Sequence, residues 1–459
     1  MKIWVNKCVE SEISDEFSNA LVFNISVPNK SGLITSNIRE GWYRYLGIQS
    51  VSPIYEDLFI LALSVFAADK RIPRSFSSDG WTRSIQLSLP VIEMEKWEST
   101  HTDIEKMLSY LSGDIWSIDF RKCSSEIRYQ DKHKRPPTKA EYLNRIDGVS
   151  LFSGGLDSYC GAYDMLSQGK KIIFVGFKEY GKLENVQNEI MNHLKKLFPG
   201  NNQLFSFTAK AYMPIGTKNL PAENTSRSRS FLFLSAAICI AGIVGKNIPV
   251  YIPENGFIGL NLPLTSGRKG SCSTRTTHPH FIKMLNGILE QVGISHEVIN
   301  PYAFITKREM ILKNKDSTGF LDCVDKTISC SHPCNTRWQG KSQPENCGYC
   351  YPCLIRKSSL LDISETGEHY TYNALSYEYI VNSSDAKHSD LVDLLTSVSI
   401  ASKSSDQEIK QKIKSTGRLT QEETLAFLRL YKSTINDLIE LFSCDPSLLR
   451  IMGIKYEPD

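Results

Sequence analysis

The run SLFSGGLDSYCGAYDML, residues 150–166, constrains this chain more than any other stretch. The apolar segment GVSLF leads into two glycines, two serines and an aspartate, and then into a segment of helical character. A glycine stop and a second apolar run, KKIIFVGF, follow. Strand, loop, helix and strand in this order make a βαβ unit of a parallel sheet. The loop opens a helix, so free backbone N–H groups and the helix dipole face whatever lies in front of it, which suits an anion. Gly154 and Gly155 let the backbone close on phosphate oxygens. Ser153 and Ser158 add hydroxyl donors. Asp157 would repel a phosphate unless Mg²⁺ stands between them. Loop and aspartate together point to a nucleotide with its metal. The stretch has neither the G-x-x-x-x-G-K-[ST] of a Walker P-loop nor the G-x-G-x-x-G of a dinucleotide fingerprint.

A chain of 459 residues has room for two or three domains. The net charge of +3 supplies no basic stripe, which argues against a dedicated nucleic-acid binder. The start, MKIWVNKCVESEIS, does not have the pattern of a signal peptide. The longest apolar run, Phe231 to Val244, is shorter than the roughly 20 residues a membrane span needs, so no membrane is expected and a cytoplasmic protein is.

Residues 1–145 read as an N-terminal α+β domain, with a helix at Tyr55–Lys70 and a strand within Trp81–Val91. The polar, proline-broken segment Tyr129–Tyr142 reads as a linker. Residues 146–360 continue the βα alternation, with helices at Glu184–Phe198 and Arg229–Gly245 and a strand at Asn247–Pro253. Residues 361–459 read as mostly helical, with Thr420 and Glu423 spaced for a capping box. The expected fold is therefore α/β, a Rossmann-like parallel sheet flanked by an α+β unit and a helical C-terminal region. No internal repeat of short period is evident.

Of twelve cysteines, five lie between Cys330 and Cys353. In Cys347-x₂-Cys350-x₂-Cys353 the gaps turn successive thiolates onto one ion, and an upstream thiolate closes the tetrahedron. Cys330 and Cys334 both stand in that upstream position. Structural Zn²⁺ is the expected metal, and an iron–sulfur cluster is the competing one.

The loop resembles the PP-loop, S-G-G-x-D-S, of the ATP pyrophosphatases, matched throughout Ser153–Ser158. TISC, ending at Cys330, with the cysteine triplet resembles the metal site of the 7-cyano-7-deazaguanine synthases (QueC). SRSRSFLFLSAAICIAG resembles a helix of that family at Arg229, and EYGKLENVQNE matches it only at Tyr180 and Gly181. The similarity covers about Val149 to Lys357. It is to the longer QueC-like proteins of anti-phage operons, the QatC type of the Qat system and a component of type IV CBASS. The resemblance implies a PP-loop fold, a Cys₄ zinc site with Cys330 as the fourth ligand, and ATP with Mg²⁺ as cofactors. It further implies adenylation of a 7-deazaguanine carboxylate and amine capture, by ammonia or by an operon-encoded partner protein. On this reading Ser153, Asp157, Ser158 and Arg229 carry the chemistry, and Gly154, Gly155, Leu156 and Phe177 help to hold ATP.

The central signature, YIPENGFIGLNLPLTSGRKGSCSTRTTHPHF, departs from standard QueC. Glu254, Asn255 and Gly256 follow a strand end, on the side of a parallel sheet where ligands bind. Glu254 is placed to accept from a guanine-like ring, and Arg275, Thr276 and His278 to hold the carboxylate. A salt bridge at Glu254 or Arg275 and a packed histidine at position 278 are the plainer alternatives. tRNA thiolation and a non-catalytic nucleotide-binding scaffold are the rival functions.

Overall fold

The computed structural model describes residues 1–28, 30–128, 140–200, 202–213, 223, 227–263, 275–334, 343–363, 369–383 and 385–454, the last without the side chains of 385–388. Part of the linker and residues 264–274 of the central signature lie outside this set.

Eleven strands form two sheets: β1 (Lys2–Lys7), β2 (Leu21–Ile25), β3 (Leu33–Ser36), β4 (Ser84–Val91), β5 (Ile115–Lys122), β6 (Gly148–Leu151), β7 (Ile172–Phe177), β8 (Asn202–Phe207), β9 (Ala209–Ala211), β10 (Val250–Tyr251) and β11 (Val298–Ile299). The first sheet has the order β5-β4-β1-β2-β3-β9 and the second β11-β10-β6-β7-β8. All pairs are parallel except β3 with β9. Numbered within itself, each sheet therefore runs fifth, fourth, first, second, third, a doubly wound order with a switch point beside its first strand.

The expected α+β character of residues 1–145 gives way to this parallel sheet. β1, β2 and β3 are short and joined by segments without an α-helix, so no βα alternation marks them in the sequence. In the second sheet all residues of β6 and β7 are buried, as strands covered on both faces must be. The expected strand Asn247–Pro253 contracts to β10.

One apolar core runs from Ile3 to Val298 through both sheets. Its centre is the helix Arg229–Val244, apolar all round and buried between the sheets. It packs against the helix Pro53–Arg71, which starts with proline and ends in two cations, favourable at each end. Gly242 is required there, because an added Cβ would lie 2.5 Å from the ring of Tyr55. The helices His101–Ser112 and Pro279–Gln291 form a second contact between the sheets, with Gln291 donating to Asp103 at 3.2 Å. Each contact thus joins equivalent crossover helices of the two sheets.

The C-terminal helices Asp406–Lys414, Gln421–Phe442 and Pro446–Met452 share a separate apolar core with Phe257 and Leu354. The Thr420–Glu423 capping box is formed. Among the described residues, no helix is long and apolar enough to cross a membrane.

Candidate functional site: a glycine loop braced by a four-cysteine knuckle

β6 ends at Leu151 and the helix Leu156–Ser167 begins five residues later, so the loop lies at the carboxyl edge of the second sheet beside its switch point. Gly154 has φ 86°, a conformation that favours glycine. Ser153 Oγ accepts from Gly155 N at 3.2 Å and lies 3.2 Å from Ser158 Oγ, which donates to Gly155 O at 2.8 Å. Ser153, Gly155, Leu156 and Ser158 are thereby gathered around one helix N-terminus.

Three side groups brace this loop, and none was found in the sequence. Buried Gln187 donates to Phe152 O and Ser153 O, each at 3.3 Å. Ile328 N donates to Gly154 O at 2.9 Å, and Leu156 N donates to Ser329 Oγ at 3.2 Å. An added Cβ at Gly155 would stand 3.3 Å from Ile328 O, so the TISC segment lies directly against the glycines.

Asp157 accepts from Asn255 Nδ2 at 2.8 Å and faces Lys307 Nζ at 3.1 Å. Lys307 opens the helix Lys307–Leu312, whose capping box of Thr306 and Glu309 fixes its start. Its signal was faint: one lysine in ITKREM, distant in sequence from the loop. Mg²⁺ commonly takes one or two carboxylates and completes its shell with phosphate oxygens and water. Asp157 fits that role as one carboxylate, with the Lys307 ammonium as a second positive charge beside it.

Glu254 follows β10 across the switch point and accepts a hydrogen bond from Thr277 Oγ1. Burial pushes its carboxyl up to about 7; the Thr277 bond lowers it, the Asp157 charge raises it and Lys307 lowers it. A carboxyl near neutrality beside a ligand edge is the usual condition of a proton-transfer group.

Other expected site residues serve the fold. Asn255 caps the helix Gly256–Leu260 by accepting from Ile258 N at 3.1 Å, and it reaches the site through Asp157. Gly256 is forced by packing, since a Cβ there would meet Ala303 O at 2.1 Å. The Phe177 ring lies in the core, 5.1 Å from Phe207 and 6.3 Å from Phe233, so it does not hold a nucleotide. His278 is a correction of the same kind. It is buried, its Nδ1 accepts from His280 N at 3.1 Å, and its Nε2 lies 2.9 Å from Thr416 Oγ1. Burial, with the charges around it, lowers its pKa to about 3 and keeps it neutral. Arg275 lies over the Tyr110 ring at 4.9 Å and donates to Tyr110 O at 3.2 Å. Thr276 is buried. Arg229 pairs with Glu179, just beyond β7.

The metal-ligating atoms of Cys330, Cys347, Cys350 and Cys353 all lie within 4.8 Å of one another. The Sγ separations are 3.8 Å for Cys330–Cys350 and 3.9 Å for Cys347–Cys353. Tetrahedral ligation at a Zn–S length of about 2.3 Å requires an edge of about 3.8 Å, so the four thiolates fit zinc. Backbone N–H groups of His332, Cys347 and Cys350 donate to the sulfurs, which favours thiolates. Gly348, at φ 89°, turns the chain between the ligands. Of the two upstream cysteines it is Cys330 that joins the cluster.

Comparison with known proteins bears on what such an arrangement does. Over 268 residues the sequence is 29% identical to 7-cyano-7-deazaguanine synthase of Leptospira interrogans serovar copenhageni, and equally to that of serovar Lai. Over that stretch the chain is a distant homologue of QueC. The alignment covers 53% of this chain and 97% of each relative, so about half of the chain has no counterpart in them. No family model matches the chain. The QueC-like half and the four-cysteine cluster together support the family expected from the motifs, with Asn346 tying the two. Its Oδ1 accepts from Ser329 N at 3.0 Å and its Nδ2 donates to Thr327 O at 3.1 Å, immediately before Cys347.

Proposed function

We propose that the chain uses ATP to adenylate the carboxylate of a 7-deazaguanine, 7-carboxy-7-deazaguanine, and that an amine then captures the acyl group. The observation that carries this reading is the braced Ser153–Ser158 loop at the switch point, with its glycine at positive φ and its aspartate engaged by Lys307. A substrate carboxylate oxygen bonds to the α-phosphorus, the bond to the β-phosphate bridge breaks, and pyrophosphate leaves. Amine attack on the acyl-adenylate then forms an amide, releasing AMP and a proton.

The loop N–H groups and the Ser153 and Ser158 hydroxyls hold the departing pyrophosphate, and the helix dipole favours its charge. Mg²⁺, when bound with ATP at Asp157, neutralises phosphate charge. Lys307 fixes the Asp157 carboxylate and adds a positive charge. Glu254 accepts from the deazaguanine ring, and its raised pKa suits it to receive a proton at neutral pH. Zinc in the four-cysteine knuckle holds the TISC segment, and through it the loop. Most of the rate comes from positioning and electrostatics.

We take the amine to be the N-terminus of a partner protein in anti-phage defence, with residues 1–145 as its docking unit, 146–360 as the catalytic unit and 361–459 as a helical support. Ammonia is the alternative acceptor. Incubation with ATP, 7-carboxy-7-deazaguanine and either acceptor, read by pyrophosphate release and product mass, tests the proposal. A mass adduct on a partner supports the protein acceptor and a free amide supports ammonia. No pyrophosphate with any acceptor overturns the reading.

A further inference from the structure

The carboxyl edge of the first sheet also holds a cleft, of about 360 Å³ including its mouth, lined by residues between Ile25 and Ile127 and so distinct from the glycine loop. Apolar walls from Ile34, Phe59 and Leu63 surround three polar groups, those of Ser26, Arg39 and Trp42. Cleft and edge correspond in topology to the place where the second sheet carries its loop.

All three polar groups can donate, and they find little to donate to. Trp42 is 2% exposed and its indole N–H has no acceptor. A buried donor left unpaired costs about 1–3 kcal/mol. The Arg39 guanidinium is partly buried and, among the described residues, makes no hydrogen bond or ion pair. Glu56 also lines the cleft, but its oxygens are spent: Oε1 on Lys7 at 2.9 Å and Oε2 on Ile127 N at 2.9 Å. With Lys7 neutralising Glu56, Arg39 is the uncompensated charge. Ser26 follows β2 at φ 57°, and Cys8 follows β1 at φ 64°. Such strained residues at adjoining strand ends cluster at ligand sites.

We infer that this cleft binds a small organic carboxylate, its charge on Arg39 and the Trp42 N–H, and its carbon body against Ile34, Phe59 and Leu63. Donors at one end and aliphatic walls along the rest select an amphiphilic monoanion over a phosphate. The volume, at the low end for ligand pockets, limits the body to a few carbons or one ring.

The test uses the full chain with isotope-labelled tryptophan, the Trp42 indole resonance being assigned with Trp42→Phe. Acetate, butyrate and benzoate are titrated, with phosphate and chloride as controls. The Trp42 signal is expected to move saturably, with butyrate or benzoate binding more tightly than acetate. Arg39→Gln is expected to weaken binding about tenfold or more. Should Arg39→Gln fail to fold, Ser26→Gly relieves the positive φ, removes one hydroxyl, and is expected to weaken binding about threefold. An unmoved Trp42 signal, equal binding in the folded variant, or equal binding of phosphate or chloride overturns the inference.

Discussion

In the second sheet, β6 runs into two glycines and the N-terminus of a 12-residue helix. In the first sheet, β1 runs into Cys8 and Val9 and reaches β2 with only a 3₁₀ turn at Asp15–Phe17. The strand orders are the same, and equivalent crossover helices pack on each other. The difference lies in the first crossover. A helix there aims backbone donors across the sheet edge and makes an anion site, whereas an extended connection leaves side chains such as Arg39 to supply the charge. Topology selects the edge, and the local chain decides its chemistry.

The largest effect that sharpens this contrast comes from the loop itself. Asp157→Ala is expected to lower pyrophosphate release about 100-fold or more while leaving the melting temperature within a few degrees. Cys8→Ser, at the matching place in the first sheet, should leave release unchanged. Equal losses from both would break the comparison.

The cysteine knuckle gives the next effect. Cys350→Ser should remove bound metal, read by elemental analysis, and raise hydrogen exchange at Gly154–Leu156, because Ile328 and Ser329 then no longer pin the loop. Turnover is expected to fall about 10-fold to 100-fold. Retained metal with normal exchange would separate the knuckle from the loop.

The packing of the two sheets can be attacked at Gly242. Gly242→Val drives methyl groups into the Tyr55 ring and should cost about 1–3 kcal/mol in denaturant unfolding. A neutral result would mean that the paired crossover helices do not bear on stability.

The smallest effect is a pH slope. The Glu254 carboxyl sits at about 7 against an ordinary value of 4.5, so the unfolded chain loses its proton first as pH rises. Stability is therefore expected to fall between about pH 4.5 and 7 and then level off, by on the order of 2 kcal/mol at most. Glu254→Gln should flatten that slope and stabilise the protein at pH 8. An unchanged slope would assign it to other groups.

Residues contiguous in the chain were the legible ones. SGGLDS stood out because one loop needs all of its parts together, and Cys347, Cys350 and Cys353 because their spacing is their geometry. The helix at Tyr55–Lys70 and the capping box at Thr420 declared themselves through periodicity. Gln187, Lys307 and Ser329 did not, since each reaches the loop from another element and means nothing until the sheet has formed. Conversely, ENG and TTHP resembled binding motifs. Their conspicuous residues turn out to cap helices at Asn255 and His278 or to admit a neighbouring carbonyl at Gly256, tasks that attract the same residue types. The parallel first sheet was hidden because β1, β2 and β3 lack the intervening helices that would announce it.

The three residues of β9 belong to the second sheet's third crossover, yet they pair with β3 at the far edge of the first. During synthesis the first sheet therefore waits, one edge unsealed, until residue 211 has left the ribosome. By then β6, β7 and β8 have also emerged. The order of translation thus makes the two sheets finish together, and a ribosome stalled between residues 150 and 200 would display β3 as an open template for pairing with another chain.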